Sequence, residues 1–260
     1  MAALDTREMA PEEEYFVSTC SHVNESEEID RCGQRRLEWM RAMRAQGLRV
    51  FTARLDGKLV GFAYVIPIES SPLGPIGRDI AVVPCLWVVP DAQRQGAGRA
   101  LMGAAEGEAR SQGSKGICTT GCYHDFWFMP AAFFEKLDYS PVRRRDNEAI
   151  LWKRFDPSAE APSFLERSYD FLPMPGKVVI DLFYNTFCET SDIEAQRLRE
   201  VAADFGDAVV LNEHSADDRE TLLRHQLPRG IFINGEEIGW GYEAPKEGIA
   251  DAISKALERA

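Results

Sequence analysis

From Leu86 to Leu101 the chain reads Leu-Trp-Val-Val-Pro-Asp-Ala-Gln-Arg-Gln-Gly-Ala-Gly-Arg-Ala-Leu. An apolar run stops at Pro90, a turn carries Gln93-Arg94-Gln95-Gly96-Ala97-Gly98-Arg99, and an amphipathic segment follows. A strand passing through a glycine-rich turn into a helix aims several unbonded backbone N–H groups at one point, which suits an anion such as a diphosphate. Glycine there lets a phosphate approach the main chain without meeting a Cβ. Arg94 and Arg99 can add charge-assisted contacts, or simply stand in solvent. A P-loop would end in Lys-Ser/Thr, whereas Gly98 precedes Arg99-Ala100. A dinucleotide fingerprint would need a third glycine and an acidic residue closing the next strand. A plain strand-to-helix turn is the competing reading.

Other residues with chemical potential are scattered. Tyr123 and His124 follow a short apolar strand and could act as acid or base, although a loop histidine is commonly just a surface residue. Glu69, at the end of a hairpin, is a comparable candidate base. Cys85, Cys118 and Cys122 suit either small buried hydrophobes or a thiol-lined pocket for a soft metal. Cys118-x-x-x-Cys122 lacks zinc spacing, so no metal centre is assigned. Cys188 opens a helix, where the dipole favours a thiolate and makes it more nucleophilic. Ser191 stands where a second thiol would resolve a mixed disulfide, so Cys188 could form such a bond but not clear it alone. A cysteine used only for contact is the alternative.

These groups must be positioned by elements that the pattern suggests. With 260 residues, 45% of them hydrophobic and 10% aromatic, the chain can bury a sizeable core in one large or two small domains. Prolines and charges break every apolar run before it reaches membrane-spanning length. The acidic start lacks a signal-peptide core, so a soluble, cytoplasmic protein with no membrane partner is expected. A formal charge of −12, densest after residue 176, argues against nucleic acid. Six dispersed cysteines do not make a disulfide scaffold. Residues 1–14 read as frayed. Helical spacing covers 28–45, and Asp56-Gly57 joins strands 48–55 and 59–67 as a hairpin. Residues 70–77 read as a loop, 80–89 as a strand, 98–112 as a helix, 116–120 as a strand, 130–137 as a helix and 149–155 as a strand. Pro157, Pro162, Pro173 and Pro175 mark 157–175 as a connector. Beyond it lie strand 178–184, helix 191–205, strand 208–211, helix 217–225, strands 231–233 and 238–242, and helix 245–257.

Over residues 15–156, the Gln93-x-x-Gly96-x-Gly98 turn and the segment Phe133-Phe134-Glu135-Lys136-Leu137-Asp138-Tyr139 resemble the Gcn5-related N-acetyltransferases (GNAT) in order and spacing. The resemblance implies an α/β acyltransferase fold that takes acetyl-coenzyme A as cosubstrate and passes acetyl to a small amine-bearing acceptor. Its diphosphate would sit on Gln93, Arg94, Gln95, Gly96, Ala97, Gly98 and Arg99. Its pantetheine arm would pair with Trp87 and Val88 on a strand edge exposed by splaying. The chain departs from the family at two points. The strand before the turn reads Val82-Val83-Pro84-Cys85-Leu86-Trp87, without the usual Glu, and Phe134 occupies the position of the usual acidic Tyr. Tyr123 and His124 are therefore carried as substitutes. Residues 176–260, in βαβαββα order, resemble a thioredoxin-like domain. Cys188-Glu189-Thr190-Ser191 sits at the redox position, and Leu227-Pro228 at that of the cis-proline. The whole layout resembles acetyltransferases with a YoaP-like carboxy-terminal domain. Cys188 would then be a catalytic thiol meeting a thiol partner. An acyl-coenzyme A sensor or monothiol adaptor with little transferase activity is the alternative.

Overall fold

The computed structural model describes residues 3–124, 129–239 and 243–259. They divide into two compact units, one of residues 1–23 and 37–165 and the other of residues 24–36 and 166–260.

The first unit begins where fraying was expected. Strand β1 (Leu4–Glu8) instead pairs antiparallel with β2 (Arg49–Leu55), from Leu4 opposite Leu55 to Glu8 opposite Phe51. Sequence periodicity is blind to β1 because the strand is mostly exposed and its order comes from pairing. A short helix α1 (Glu14–Ser18) follows, then α2 (Glu27–Met43), which starts where the Ser26 hydroxyl accepts the Ile29 N–H at 3.2 Å. Gly47, at φ +92°, turns the chain out of it. β2 and β3 (Lys58–Pro67) form the expected hairpin, with Asp56 and Gly57 both left-handed as a type I′ turn requires.

The single strand expected at 80–89 is two pieces. β4 (Ala81–Val82) lies between β3 and β6 (Gly116–Cys122), antiparallel to the first and parallel to the second. β5 (Leu86–Val88) pairs with β3 alone. The break falls at Val83-Pro84-Cys85, because proline has no N–H to continue a ladder. Helix α3 (Ala97–Ser111) buries Leu101, Met102 and Ala105, the face its spacing suggested. α4 (Ala131–Glu135), β7 (Ser140–Arg145) and β8 (Glu148–Arg154) complete a sheet ordered β1-β2-β3-β4-β6-β8-β7.

In the second unit β9 (Val178–Tyr184), α5 (Glu189–Asp204) and β10 (Val209–Ser215) make a parallel crossover. Helix α6 (Arg219–His225) leads to β11 (Gly230–Ile233), which turns through left-handed Asn234 and Gly235 into β12 (Glu236–Glu237). The mate expected at 238–242 is thus β12, two residues earlier, and positions 240–242 lie outside the described residues. The sheet order is β10-β9-β11-β12, and α5 and α7 (Lys246–Leu257) cover one face of it. Residues 24–36 group with this unit. Arg35 meets the buried Asp192 at 2.7 Å, and Arg197 meets Glu28 at 2.6 Å.

The proline-rich connector is not loose chain. Ser163 and Ile76 exchange two backbone hydrogen bonds, 2.8 and 2.9 Å, inside the first unit. Within the second unit the Ser168 N–H reaches the His225 carbonyl at 2.8 Å, and Tyr169 donates to Asp181 at 2.8 Å.

The amino-terminal strand is locked down by Glu13, which is fully buried. Its carboxylate accepts from the Ala10 N–H (3.0 Å), the Thr52 hydroxyl (2.7 Å), Arg54 Nε (2.7 Å) and Arg7 Nη2 (3.0 Å). Burial pushes this carboxyl's pKa up, but those four donors outweigh it and hold it at about 2. A folded carboxyl that titrates below its unfolded value stabilises fully above about pH 4.3 and loses that contribution as pH falls toward 2. Glu13→Gln should therefore cost about 3 kcal/mol at pH 7 in urea unfolding. The gap between variant and parent should close by pH 2, and a gap that does not narrow on acidification rules out this network as its source.

Candidate functional site

The site grows from the parting of two strands. Val83 is the last residue tied to β6: its N–H reaches the Cys118 carbonyl at 2.8 Å, and its carbonyl accepts the Thr119 hydroxyl at 2.8 Å. Beyond it β5 stays with β3 while β6 runs on to Cys122, leaving a wedge between them. Alternation settles which groups face the wedge. The Cys85 carbonyl takes the Tyr64 N–H (3.1 Å) and the Val89 N–H reaches the Val60 carbonyl (2.9 Å), so residues 85, 87 and 89 face β3. Leu86 and Val88 present their backbone groups to the wedge. Of the pair expected to meet a pantetheine arm, Val88 offers its edge. Trp87 is turned inward to β3, and its indole N–H bonds the Ser21 hydroxyl at 3.0 Å. Leu86 takes Trp87's place, a one-residue difference that depends on hairpin register and is not legible from spacing.

At the outer end of β5 the turn adopts the conformation its glycines suggested. Gln93 reaches back to the Val88 carbonyl at 3.2 Å, and Gln95 to the Asp91 carbonyl at 3.1 Å. Arg94 (φ +62°) and Gly96 (φ +94°) are both left-handed. Gly96 caps α3 without any side-chain bond, and Ala100 is the first residue of the turn whose N–H finds an internal carbonyl, that of Gly96. Among the described residues, no protein acceptor meets the N–H groups of Arg94, Gln95, Gly96, Ala97, Gly98 or Arg99. These amides stand at the positive end of a four-turn helix, and Arg94, Gln95, Gly96 and Arg99 are exposed. The arginine side chains make no ion pair among the described residues. Such an arrangement can hold a diphosphate.

The remaining candidates separate. Tyr123 follows β6 directly. Its hydroxyl donates to Glu135 at 2.6 Å, and Arg144 lies over its ring at 4.1 Å. The hydrogen bond to Glu135 is the main cause that raises its pKa, so the phenol stays neutral. His124 is exposed beside it. Glu69 is exposed, and its carboxylate accepts the Asp79 N–H at 2.6 Å, bracing the loop. Phe134 is fully buried between Phe133 and Tyr139. Cys118 is buried, which pushes its thiol pKa up, while Cys85 and Cys122 are half-buried. Among the described residues no three His, Cys, Asp or Glu side chains could hold a metal.

Cys188 belongs to the other unit. It is the N-cap of α5, with Sγ 3.2 Å from the Thr190 hydroxyl, and Arg229 Nη1 donates to that same hydroxyl at 2.7 Å. Ser191 is buried, its hydroxyl accepting the Asn185 N–H at 3.1 Å. Leu227-Pro228 is trans; the one cis peptide bond among the described residues is Gly74-Pro75.

Residues 11–139 match the Acetyltransferase (GNAT) family. This stretch, just under half of the chain, is therefore similar to the GNAT acetyltransferases, which are N-acyltransferases. Among solved structures it is similar to a GNAT-family acetyltransferase from Staphylococcus aureus, with 13% identity, a TM-score of 0.43, and coverage of 59% of this chain and 100% of that one. It is similar also to the PaiA N-acetyltransferase of Thermoplasma acidophilum in complex with coenzyme A (15%, 0.41, 58% and 99%). A third is a GNAT-family acetyltransferase of Brucella melitensis in complex with acetyl-coenzyme A (16%, 0.39, 62% and 94%). No curated protein matches the chain. No helix among the described residues is long and apolar enough to cross a membrane.

The two turn glycines serve different ends. A Cβ on Gly96 meets nothing closer than Leu4 at 3.6 Å, so only its left-handed backbone resists substitution. A Cβ on Gly98 would lie 3.1 Å from the Phe133 ring. Gly96→Ala and Gly98→Ala should each lower stability by about 1 kcal/mol. Adding Phe133→Leu should recover the loss at Gly98 and leave that at Gly96. Equal recovery at both positions in urea unfolding contradicts this division.

Proposed function

We propose that the protein is an acetyl-coenzyme A-dependent N-acetyltransferase acting by direct transfer on a small amine-bearing acceptor in the cytoplasm. The observation that carries this reading is the unbroken run of unbonded amides from Arg94 to Arg99, leading into the open edge at Val88 and Leu86. In this reading the amides and Arg94 and Arg99 grip the diphosphate, and Gln93 fixes the turn. The arm pairs along β5, bringing the thioester to the wedge. A neutral amine attacks the thioester carbonyl, so a C–N bond forms and the C–S bond breaks. The amine's surplus proton passes to a base, and the leaving thiolate takes up a proton. With Phe134 buried, Tyr123 and His124 are the proposed proton carriers, and the neutral phenol of Tyr123 fits the acid role.

Direct transfer leans chiefly on placement, which supplies much of such a barrier reduction. A second reading, an acyl-coenzyme A sensor with little turnover, is favoured by the apolar Phe134 and by the lack of a carboxylate on β5. Calorimetry and an amine panel separate them. Acetyl-coenzyme A should bind, and at least one amine should release free coenzyme A. Binding with no release across amines, aminoglycosides, amino acids and peptide N-termini selects the sensor. Gly96→Asp should abolish binding, since a carboxylate would face the diphosphate; unchanged affinity removes the whole reading.

For the second unit the proposal is a thioredoxin-like module. The order β10-β9-β11-β12 and a cysteine at the N-cap of the first helix support it. Thr190 already accepts from Arg229, so its own proton is free to point at Cys188 Sγ, which favours a sulfur that accepts. In this role the Cys188 thiolate attacks a disulfide, forms one mixed disulfide with the thiol partner and expels the other half as thiolate. Incubation with glutathione disulfide should give one adduct by mass spectrometry that Cys188→Ser removes. Adducts unchanged by that substitution assign the cysteine to packing.

A further inference from the structure

The inner end of the wedge is bridged by one residue. Met129 bonds both lips: its carbonyl accepts the Cys122 N–H of β6 at 3.0 Å, and its Sδ accepts the Leu86 N–H of β5 at 3.2 Å. The residue is 6% exposed and holds φ +64°, a left-handed conformation that costs a long side chain about 1–3 kcal/mol and persists only where surrounding contacts impose it. A thioether is a weak acceptor. The Leu86 N–H faces the space a thioester would occupy, so a carbonyl oxygen arriving there is a better partner than the sulfur it displaces.

The geometry points to Met129 as the residue that sets acyl-chain length: it closes the inner end of the slot and yields by only as much as a short acyl group needs. This rests on the proposed use of the wedge by an acyl-coenzyme A. Methionine suits the role because its unbranched chain can swing aside without moving the backbone. A two-carbon group replaces the sulfur on Leu86, whereas each further methylene runs toward the displaced side chain and the point where Val83 and Cys118 are still bonded.

Binding to the full chain tests this without knowledge of the acceptor. Calorimetry with coenzyme A, acetyl-coenzyme A and butyryl-coenzyme A should show the parent binding butyryl about tenfold more weakly than acetyl. Met129→Ala should bring the two within about twofold, and Met129→Leu, similar in volume, should keep the preference. Met129→Phe should weaken acetyl-coenzyme A while leaving coenzyme A unaffected. Should Met129→Ala fail to fold, Met129→Val should narrow the same ratio. An acetyl-to-butyryl ratio that no substitution moves overturns the inference and leaves the proposed function intact. A parent that binds none of the three ligands overturns both.

Discussion

The arrangement depends on one interruption: a strand that must stay paired on one side and become unpaired on the other within three residues. Val83 spends both of its backbone groups on β6, through the Cys118 carbonyl and the Thr119 hydroxyl. Past Pro84, which has no N–H, the alternation shifts: Cys85, due to follow Val83 toward β6, faces β3 instead, and that register runs on through Leu86, Trp87 and Val88. The opening between β5 and β6 is therefore built into the register of residues 83–85. It does not need a ligand to force the strands apart.

A gap between strands leaves polar groups that must still be satisfied, and the two ends of this one do so differently. Of the residues whose amides are left open, Arg94, Gln95, Gly96 and Arg99 are exposed, so water can serve them. Their cost when empty is small. Further in, Leu86 is half-buried, and an amide left without a partner where water cannot reach it costs about 1–3 kcal/mol. Met129 is the partner the fold supplies there, although its conformation is strained.

Much of this could be read from residue types. The Asp56-Gly57 hairpin, the buried face of α3 and the turn at Gly96 each follow from local rules that no tertiary contact overrides. Where reading stopped, the cause was non-local. β1 is an exposed strand whose hydrophobic pattern is silent, since its order comes from β2 and from the anchoring of Glu13. The register that turns Leu86 outward and Trp87 inward is set across β3. The backbone N–H that Glu69 accepts, ten residues on, leaves no trace in composition. Met129 gave no signal, since a methionine before a proline carries no pattern.

The polar residues of the second unit make the complementary case. Asp192, Glu194 and Asp181 are buried, and each is matched: Asp192 by Arg35, Glu194 by Arg229 and the Ala244 N–H, and Asp181 by Tyr169 and Asn212. Groups matched in this way fix one packing of α5 and the sheet, and leave no buried charge seeking an outside partner. Cys188 differs from them because its sulfur is half-buried and lies at the end of the Arg229–Thr190 hydrogen-bond chain. In both units, then, some groups are left where pairing stops short of completion. In the first, proline and glycine stop it along the backbone; in the second, it stops at the half-buried Cys188 sulfur, while Ser191 is buried and bonded to the Asn185 N–H.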